Sequence, residues 1–202
     1  MEKEDKSSLV KEPDLSYGNY TYADYLTWEM EEMTELIKGK VFKKAAAAAR
    51  RIHQWLTGNL YTEMNLFLRG KKCQAYIAPF DVRLPVKSKR DDQIHTVVQP
   101  DICVVCDLEK LDERGCVGAP DLVVEVLSAG NKQMELQRKY EVYEESGVKE
   151  YWIVDPEGKT VLIYTLTQGK YSASRWMTVG DVAISSVIKG FELDLEEYFK
   201  EA

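Results

Sequence analysis

The chain has 202 residues, 45% of them hydrophobic and 30% charged, with a formal net charge of −7. That length and apolar share suit one globular domain with a proper core, and the charge argues against indiscriminate coating of a nucleic acid, although a local basic surface can still bind phosphate. No apolar run reads as a membrane span and the charged start MEKEDKSSLVKEPD does not read as a signal peptide, so a cytoplasmic location is expected.

Residues 1–19 are polar and charged and read as a disordered or loosely attached segment. Thr21, in TYADYLTWE, is placed as the N-cap of a short helix carrying Tyr22, Tyr25, Leu26 and Trp28. TELIKGKVF has a glycine turn between two short extended pieces, which sets Glu35 beside Leu36 and Ile37 as a solvated glutamate at the edge of a small strand pair. From Leu36 to Thr62 there are six basic residues, Lys38, Lys40, Lys43, Lys44, Arg50 and Arg51, and no acidic one. Two readings stay open for this run, a solvated helix face and a phosphate-contacting surface. Residues 45–68 are expected to form one long helix with Ile52, Leu56, Leu60, Met64 and Phe67 on its buried face, and His53 beside that face as a satisfied core histidine.

Beyond Gly70, QAYIAPF and DVRLPV read as short strands joined near Pro79, followed by the charged loop KSKRDDQIH. PDICVVC is an apolar strand with Asp101 at its mouth, residues 107–119 read as a loop, and DLVVEVL is a second apolar strand. Alternation puts Asp121, Val123, Glu125 and Leu127 on one face and Leu122, Val124 and Val126 on the other, and a carboxylate inside such a run is costly without a partner. Ser128 to Asn131 turn into the helix MELQRKYEVYEES, which ends near Gly147. Lys139 falls within or beside the stripe of that helix that faces the sheet, with Glu135 one turn away as a ready counter-ion. Two carboxylates on apolar strands with a buried lysine make a candidate metal site with a basic helper. The plainer alternative is a structural or oligomeric protein in which Glu135 and Lys139 are an ordinary ion pair. EYWIVDP, TVLIYTL and KYSASRW then form an antiparallel meander, and FELDLEEYF adds a short strand and a terminal helix.

Cys103 and Cys106 have CxxC spacing, but on a strand positions three apart face opposite ways and no second pair with zinc-site spacing follows. Cys73, Cys103, Cys106 and Cys116 are therefore expected to be buried free thiols. The absence of a Gly-rich phosphate loop, a GxSxG elbow and an HExxH motif removes the main support for nucleotide hydrolysis, serine esterase and zinc protease chemistry.

The segments TELIKGKVF, RRIHQWLTGNL, VVQPDICVVCD, APDLVVEVLS and KYEVYEESGVKEYWIVDP resemble, in that order, the bacterial Uma-two family of restriction-endonuclease-like proteins in the PD-(D/E)XK nuclease superfamily. The similarity spans residues 35–156. It implies an α+β fold, restriction-endonuclease-like, with a mixed central sheet flanked by helices and the site at one edge, built as a single domain over residues 20–202. It also implies that Asp101 and Glu125 together hold a divalent cation, Mg²⁺ with Mn²⁺ as an alternative. Lys139 resembles the lysine that this family carries on the helix after the strand, Leu127 standing where the usual lysine of the motif would be. By the same resemblance Glu35 is a third acid of the metal shell and His53 touches the site, or faces nucleic acid together with Lys43, Lys44, Arg50 and Arg51. The stretch KKAAAAARR and the turn SAGNK depart from the family, which has proline and serine in the first place and a Pro-Ser turn in the second.

The activity implied is metal-dependent endonucleolytic hydrolysis of DNA, with burial beside a metal expected to depress the Lys139 pKa and help it accept a proton. The alternative is a catalytically inactive nuclease-fold module that binds nucleic acid or regulates. Cutting both strands of a duplex calls for two sites, which points to a homodimer, although no stretch identifies an interface.

Overall fold

The structure, a computed structural model, describes residues 12–29, 33–43, 51–128 and 133–200. Lys44, Arg50, the first part of the expected long helix, most of the N-terminal segment and most of the turn before the lysine helix lie outside these residues.

In chain order the elements are α1 (Tyr22–Tyr25), β1 (Thr34–Ile37), β2 (Lys40–Lys43), α2 (Arg51–Leu68), β3 (Gln74–Ile77), β4 (Val82–Arg83), β5 (Val97–Val98) and β6 (Ile102–Val105). They continue with β7 (Leu111–Asp112), β8 (Gly115–Val117), β9 (Leu122–Val126), α3 (Gln133–Ser146), β10 (Glu150–Asp155), β11 (Thr160–Thr167) and β12 (Lys170–Ala173). The C-terminal part holds β13 (Met177–Thr178), β14 (Val182–Ile184), β15 (Glu192–Asp194) and α4 (Leu195–Tyr198). Thr21 caps α1 through a reciprocal capping box with Asp24. The β1–β2 hairpin turns on Lys38 and Gly39, both at positive φ, 50° and 78°, as a two-residue hairpin turn of the right twist requires.

The strands pair into two mixed sheets and a ribbon. The first sheet runs β2-β1-β5-β4-β8-β7, the second β12-β11-β10-β9-β6-β3 with β13 on β11, and β14 pairs with β15. β9 and β10 are parallel, so the chain must cross over between them, and α3 makes that crossing. β9 is buried along its whole length, which is why LVVEV reads as a continuous apolar run. The stretch expected to be a loop over residues 107–119 instead folds into the β7–β8 hairpin, which extends the first sheet through the parallel pairing of β8 with β4.

Side-chain alternation on the second sheet divides the core. Leu122, Val124 and Val126 join Leu56, Leu60 and Met64 of α2 and Leu195 and Tyr198 of α4 on one face. Val123, Tyr151 and Ile153 join Val142 and Tyr143 of α3, with Val82 and Val98 of the first sheet, on the other. The helical spacing of α2 is as expected, with Ile52 and Phe67 half-buried at the margin. Each fully buried large apolar side chain of these clusters contributes roughly 1.5–3 kcal/mol of burial. The second sheet is thus covered by α2 and α4 on one side and by α3 and the first sheet on the other, and the two sheets meet beside α3.

Candidate active site

Asp101 directly precedes β6, whose antiparallel register with β9 pairs Ile102 with Val124. Extending that register by one residue sets Asp101 opposite Glu125, so the two acids that the sequence places on separate strands become cross-strand neighbours. The Asp101 carboxylate is fixed by the Val126 backbone N–H, which donates to Oδ2 at 2.8 Å.

Glu125 lies inside β9 and is 3% exposed. Val123 and Leu127 pack on the α3 side and Leu122 and Val124 on the other, so Glu125 shares the face that α3 covers. Two groups of α3, one turn apart, reach it. Lys139 Nζ donates to Glu125 Oε1 at 2.8 Å and Tyr143 Oη donates to the same oxygen at 2.8 Å. Lys139 is 1% exposed, which only a cation with close counter-charges tolerates.

The second counter-charge comes from the other sheet. Glu35, on β1, is 2% exposed and stands 3.1 Å from Lys139 Nζ. The expectation of a solvated Glu35 at a sheet edge is therefore wrong. Its strand is covered because β5 and α3 both pack near it, and its Oε1 also accepts from the Gln99 backbone N–H at 3.0 Å. The Gln99 side-chain Nε2 donates to Asp81 Oδ1 at 2.8 Å and to Tyr25 Oη at 3.2 Å. Glu135 does not pair with Lys139, whose side chain turns to the sheet carboxylates instead. The candidate site also differs in place from the expected one: it lies between two sheets, on interior strands β6 and β9, and not at the edge of one.

Electrostatics follow from this arrangement. Burial is the largest influence on Lys139 and pulls its pKa down, but Glu125, Glu35 and Asp101 together hold it well above the ordinary lysine value. With these three carboxylates acting on the lysine alone they outweigh desolvation, whereas the depressed lysine expected from the sequence belongs to a site that holds a metal. Burial first, and then the charges of Glu125 and Glu35, push the Tyr143 phenol well up, so it stays a donor.

His53, on the first turns of α2, has its Nε2 3.3 Å from Asp101 Oδ2, while its Nδ1 is buried without a hydrogen-bond partner among the described residues. With its side chain 15% exposed it addresses Asp101 and not an open surface. Lys43 and Arg51 are exposed on β2 and at the start of α2. Sequence reasoning missed Tyr143, Gln99 and Asp81. Only the i,i+4 spacing of Tyr143 from Lys139 carried a signal in the sequence.

Cys73 and Cys106 face each other across β3 and β6 and are joined in a disulfide, against the expectation of four free thiols. Cys103 and Cys116 are free and buried. Cys103 and Cys106 do face opposite sides of their strand, which excludes the CxxC zinc reading.

Among the described residues no three His, Cys, Asp or Glu side chains are grouped closely enough to hold a metal ion by themselves, because the carboxylates are arrayed around the Lys139 ammonium. The donor chemistry nonetheless suits a hard divalent cation. Two carboxylates on neighbouring strands match Mg²⁺, which takes few protein ligands and leaves its other positions to water and phosphate oxygen.

An α+β architecture of two mixed sheets with this acidic and lysine-bearing seam is a restriction-endonuclease-like fold. The Uma2 family model, described as "Putative restriction endonuclease", matches residues 22–196, and the chain belongs to that family. The fold is shared with a crystal structure from Anabaena variabilis titled as "a putative nuclease belonging to DUF820". The TM-score is 0.70 at 20% sequence identity, covering 90% of this chain and 98% of that one. A comparison with curated proteins finds no match. Among the described residues no helix is long and apolar enough to cross a membrane.

Proposed function

We propose that this protein is a metal-dependent endonuclease that hydrolyses phosphodiester bonds of DNA, with Asp101 and Glu125 as the ligands of Mg²⁺ or Mn²⁺. The observation that carries the reading is the fully buried Lys139, delivered by a helix onto the strand carboxylate Glu125 that lies opposite Asp101. Membership of a family described in terms of restriction endonucleases supports it.

When bound, the cation supplies Lewis-acid polarisation of the phosphodiester and acidifies water. The chain's own groups divide the remaining work. Val126 N–H and Tyr143 Oη hold the carboxylates of Asp101 and Glu125 in place. Lys139 donates to Glu125 and stands 3.1 Å from Glu35, and its role is to stabilise negative charge that develops on the phosphoryl oxygens. Glu35, tethered by Gln99, positions the lysine and accepts one of its N–H groups. His53 sits on Asp101 and orients it. A homodimeric enzyme acting on duplex DNA fits this chemistry, since cutting both strands calls for two sites.

The rival reading is a silent nuclease-fold module that binds nucleic acid, favoured by the engagement of Glu35, the expected third acid of the metal shell, with Lys139. Incubating supercoiled plasmid, single-stranded DNA and RNA with Mg²⁺, Mn²⁺ or EDTA separates the two. Metal-dependent nicking by the wild type that Glu125→Ala lacks is the expected result. DNA left intact by the wild type in every metal would defeat the enzyme reading, and RNA cut in preference to DNA would correct the substrate.

A further inference from the structure

We infer that Arg138, seated on the ring of Phe42, forms a phosphate-binding subsite at the rim of the proposed active site, contacting the nucleic-acid backbone beside the scissile group. The inference rests on the nucleic-acid reading above but not on catalysis.

Phe42 is the cross-strand partner of Glu35 in the β1–β2 hairpin, so both side chains share the hairpin face that meets α3. Arg138 precedes Lys139 on that helix. Consecutive helical residues point about 100° apart, and so while Lys139 enters the seam, Arg138 is set at its margin, half-buried. Its guanidinium carbon lies 4.4 Å from the Phe42 ring centroid, a cation–π contact that fixes where the charge stands. Further along α3, Lys38 of the hairpin turn meets Glu145 at 2.8 Å, so the hairpin is anchored to the helix at two places and its seating does not depend on Arg138 alone.

Arg138 differs from most of the other arginines of the fold. Arg83, Arg90, Arg114 and Arg175 each pair with a carboxylate, of Asp112, Asp92, Asp91 and Asp181 in turn. Among the described residues Arg138 has no ion pair, although it adjoins a seam rich in acids, and the ring that holds it accepts no conventional hydrogen bond from its fork. Planar N–H donors of fixed position with no carboxylate to bind suit a phosphate, which a guanidinium can grip through two parallel hydrogen bonds. A lysine there would lose both the stacking and the fork.

The test is fluorescence anisotropy of a labelled DNA duplex in EDTA, where no cleavage occurs, across a range of salt concentrations. Wild type is compared with Arg138→Gln, Phe42→Leu and, as a charge control, Lys189→Gln in an exposed loop on the far face of the second sheet. Arg138→Gln is expected to weaken binding roughly tenfold, as loss of a charge-assisted contact does, and to reduce the slope of log affinity against log salt by about one. Phe42→Leu should weaken binding less at an unchanged slope, because the charge remains but is no longer held. Lys189→Gln should bind as the wild type does. An Arg138→Gln slope equal to that of the wild type overturns the proposal, even where the wild type nicks plasmid, and shows that the pair only fastens the hairpin to α3. A wild type that binds no DNA overturns it too. Binding with the expected slopes but without nicking upholds the subsite and defeats the enzyme reading alone.

Discussion

Lys139 and Glu35 meet at 3.1 Å although one belongs to the helix that crosses the second sheet and the other to a strand of the first. The ammonium therefore ties the two sheets together at the point where Asp101 and Glu125 face each other, and the stability of this seam and its chemistry share the same atoms.

Glu35→Gln keeps the shape and one acceptor but removes a charge. Because Glu125 still compensates Lys139, the loss of stability should be about 1–3 kcal/mol, the range for weakening a buried charged hydrogen bond. Urea unfolding measures it. Lys139→Met leaves two buried carboxylates without their cation and should cost more, about 3–5 kcal/mol. Glu35→Gln combined with Lys139→Met should be less destabilised than the sum of the single variants, since Glu35→Gln removes one of the charges that Lys139→Met strands. Additive effects would mean that the pair is not coupled.

Tyr143→Phe removes one hydroxyl from Glu125. A cost of roughly 0.5–1.5 kcal/mol is expected, together with slower nicking at saturating metal, because Glu125 gains freedom to turn. Unchanged kinetics with the stability loss would restrict Tyr143 to a structural role.

Titration of Lys139 gives a signed pH effect. Its folded pKa is raised above the unfolded value of 10.5, so the stability it contributes is complete below that value and is lost as pH rises through the folded pKa. Cys116 acts in the same direction for a different reason: burial lifts its thiol to about 11 from 9.0, so unfolding gains a thiolate between those values. Thermal unfolding followed upward from pH 8 should show falling stability beginning near pH 9, and Cys116→Ala should make the early part of that fall shallower without removing it, because burial lifts the Cys103 thiol as well. At the acid end Asp181, held at about 2 by Arg175, supports the fold above its ordinary value of 3.8 and loses that support as pH drops towards 2. Asp181→Asn should flatten that limb.

Thiol counting checks the cysteine assignment. Oxidised protein should offer no fast-reacting thiol to iodoacetamide at pH 8, two after unfolding, and four only after reduction. Four thiols in the unreduced, unfolded chain would contradict the Cys73–Cys106 bridge.

Glu125 was legible in the sequence because it interrupts a short apolar run, where burial without a partner is costly, and Asp101 because it stands at the mouth of another. Lys139 stood out for the same reason on its helix. The position of Glu35 was not legible, since its partner comes from another sheet and nothing local in TELIKGKVF announces that contact. Asp81 and Gln99 are hidden for the same reason. The Cys73–Cys106 bridge depends on the register of β3 against β6, and a slip of one residue would have turned the two thiols to opposite faces. The β7–β8 hairpin escaped notice because its strands are only two and three residues long.

The most direct test of the account is Lys139→Ala, assayed side by side for plasmid nicking with Mg²⁺ and for Mg²⁺ binding by calorimetry, after circular dichroism has established that the variant is folded. Cleavage abolished with metal binding retained is the predicted result, because the lysine acts on the phosphate while Asp101 and Glu125 hold the cation. Nicking at the wild-type rate, or metal binding lost together with cleavage, would contradict the role assigned to Lys139.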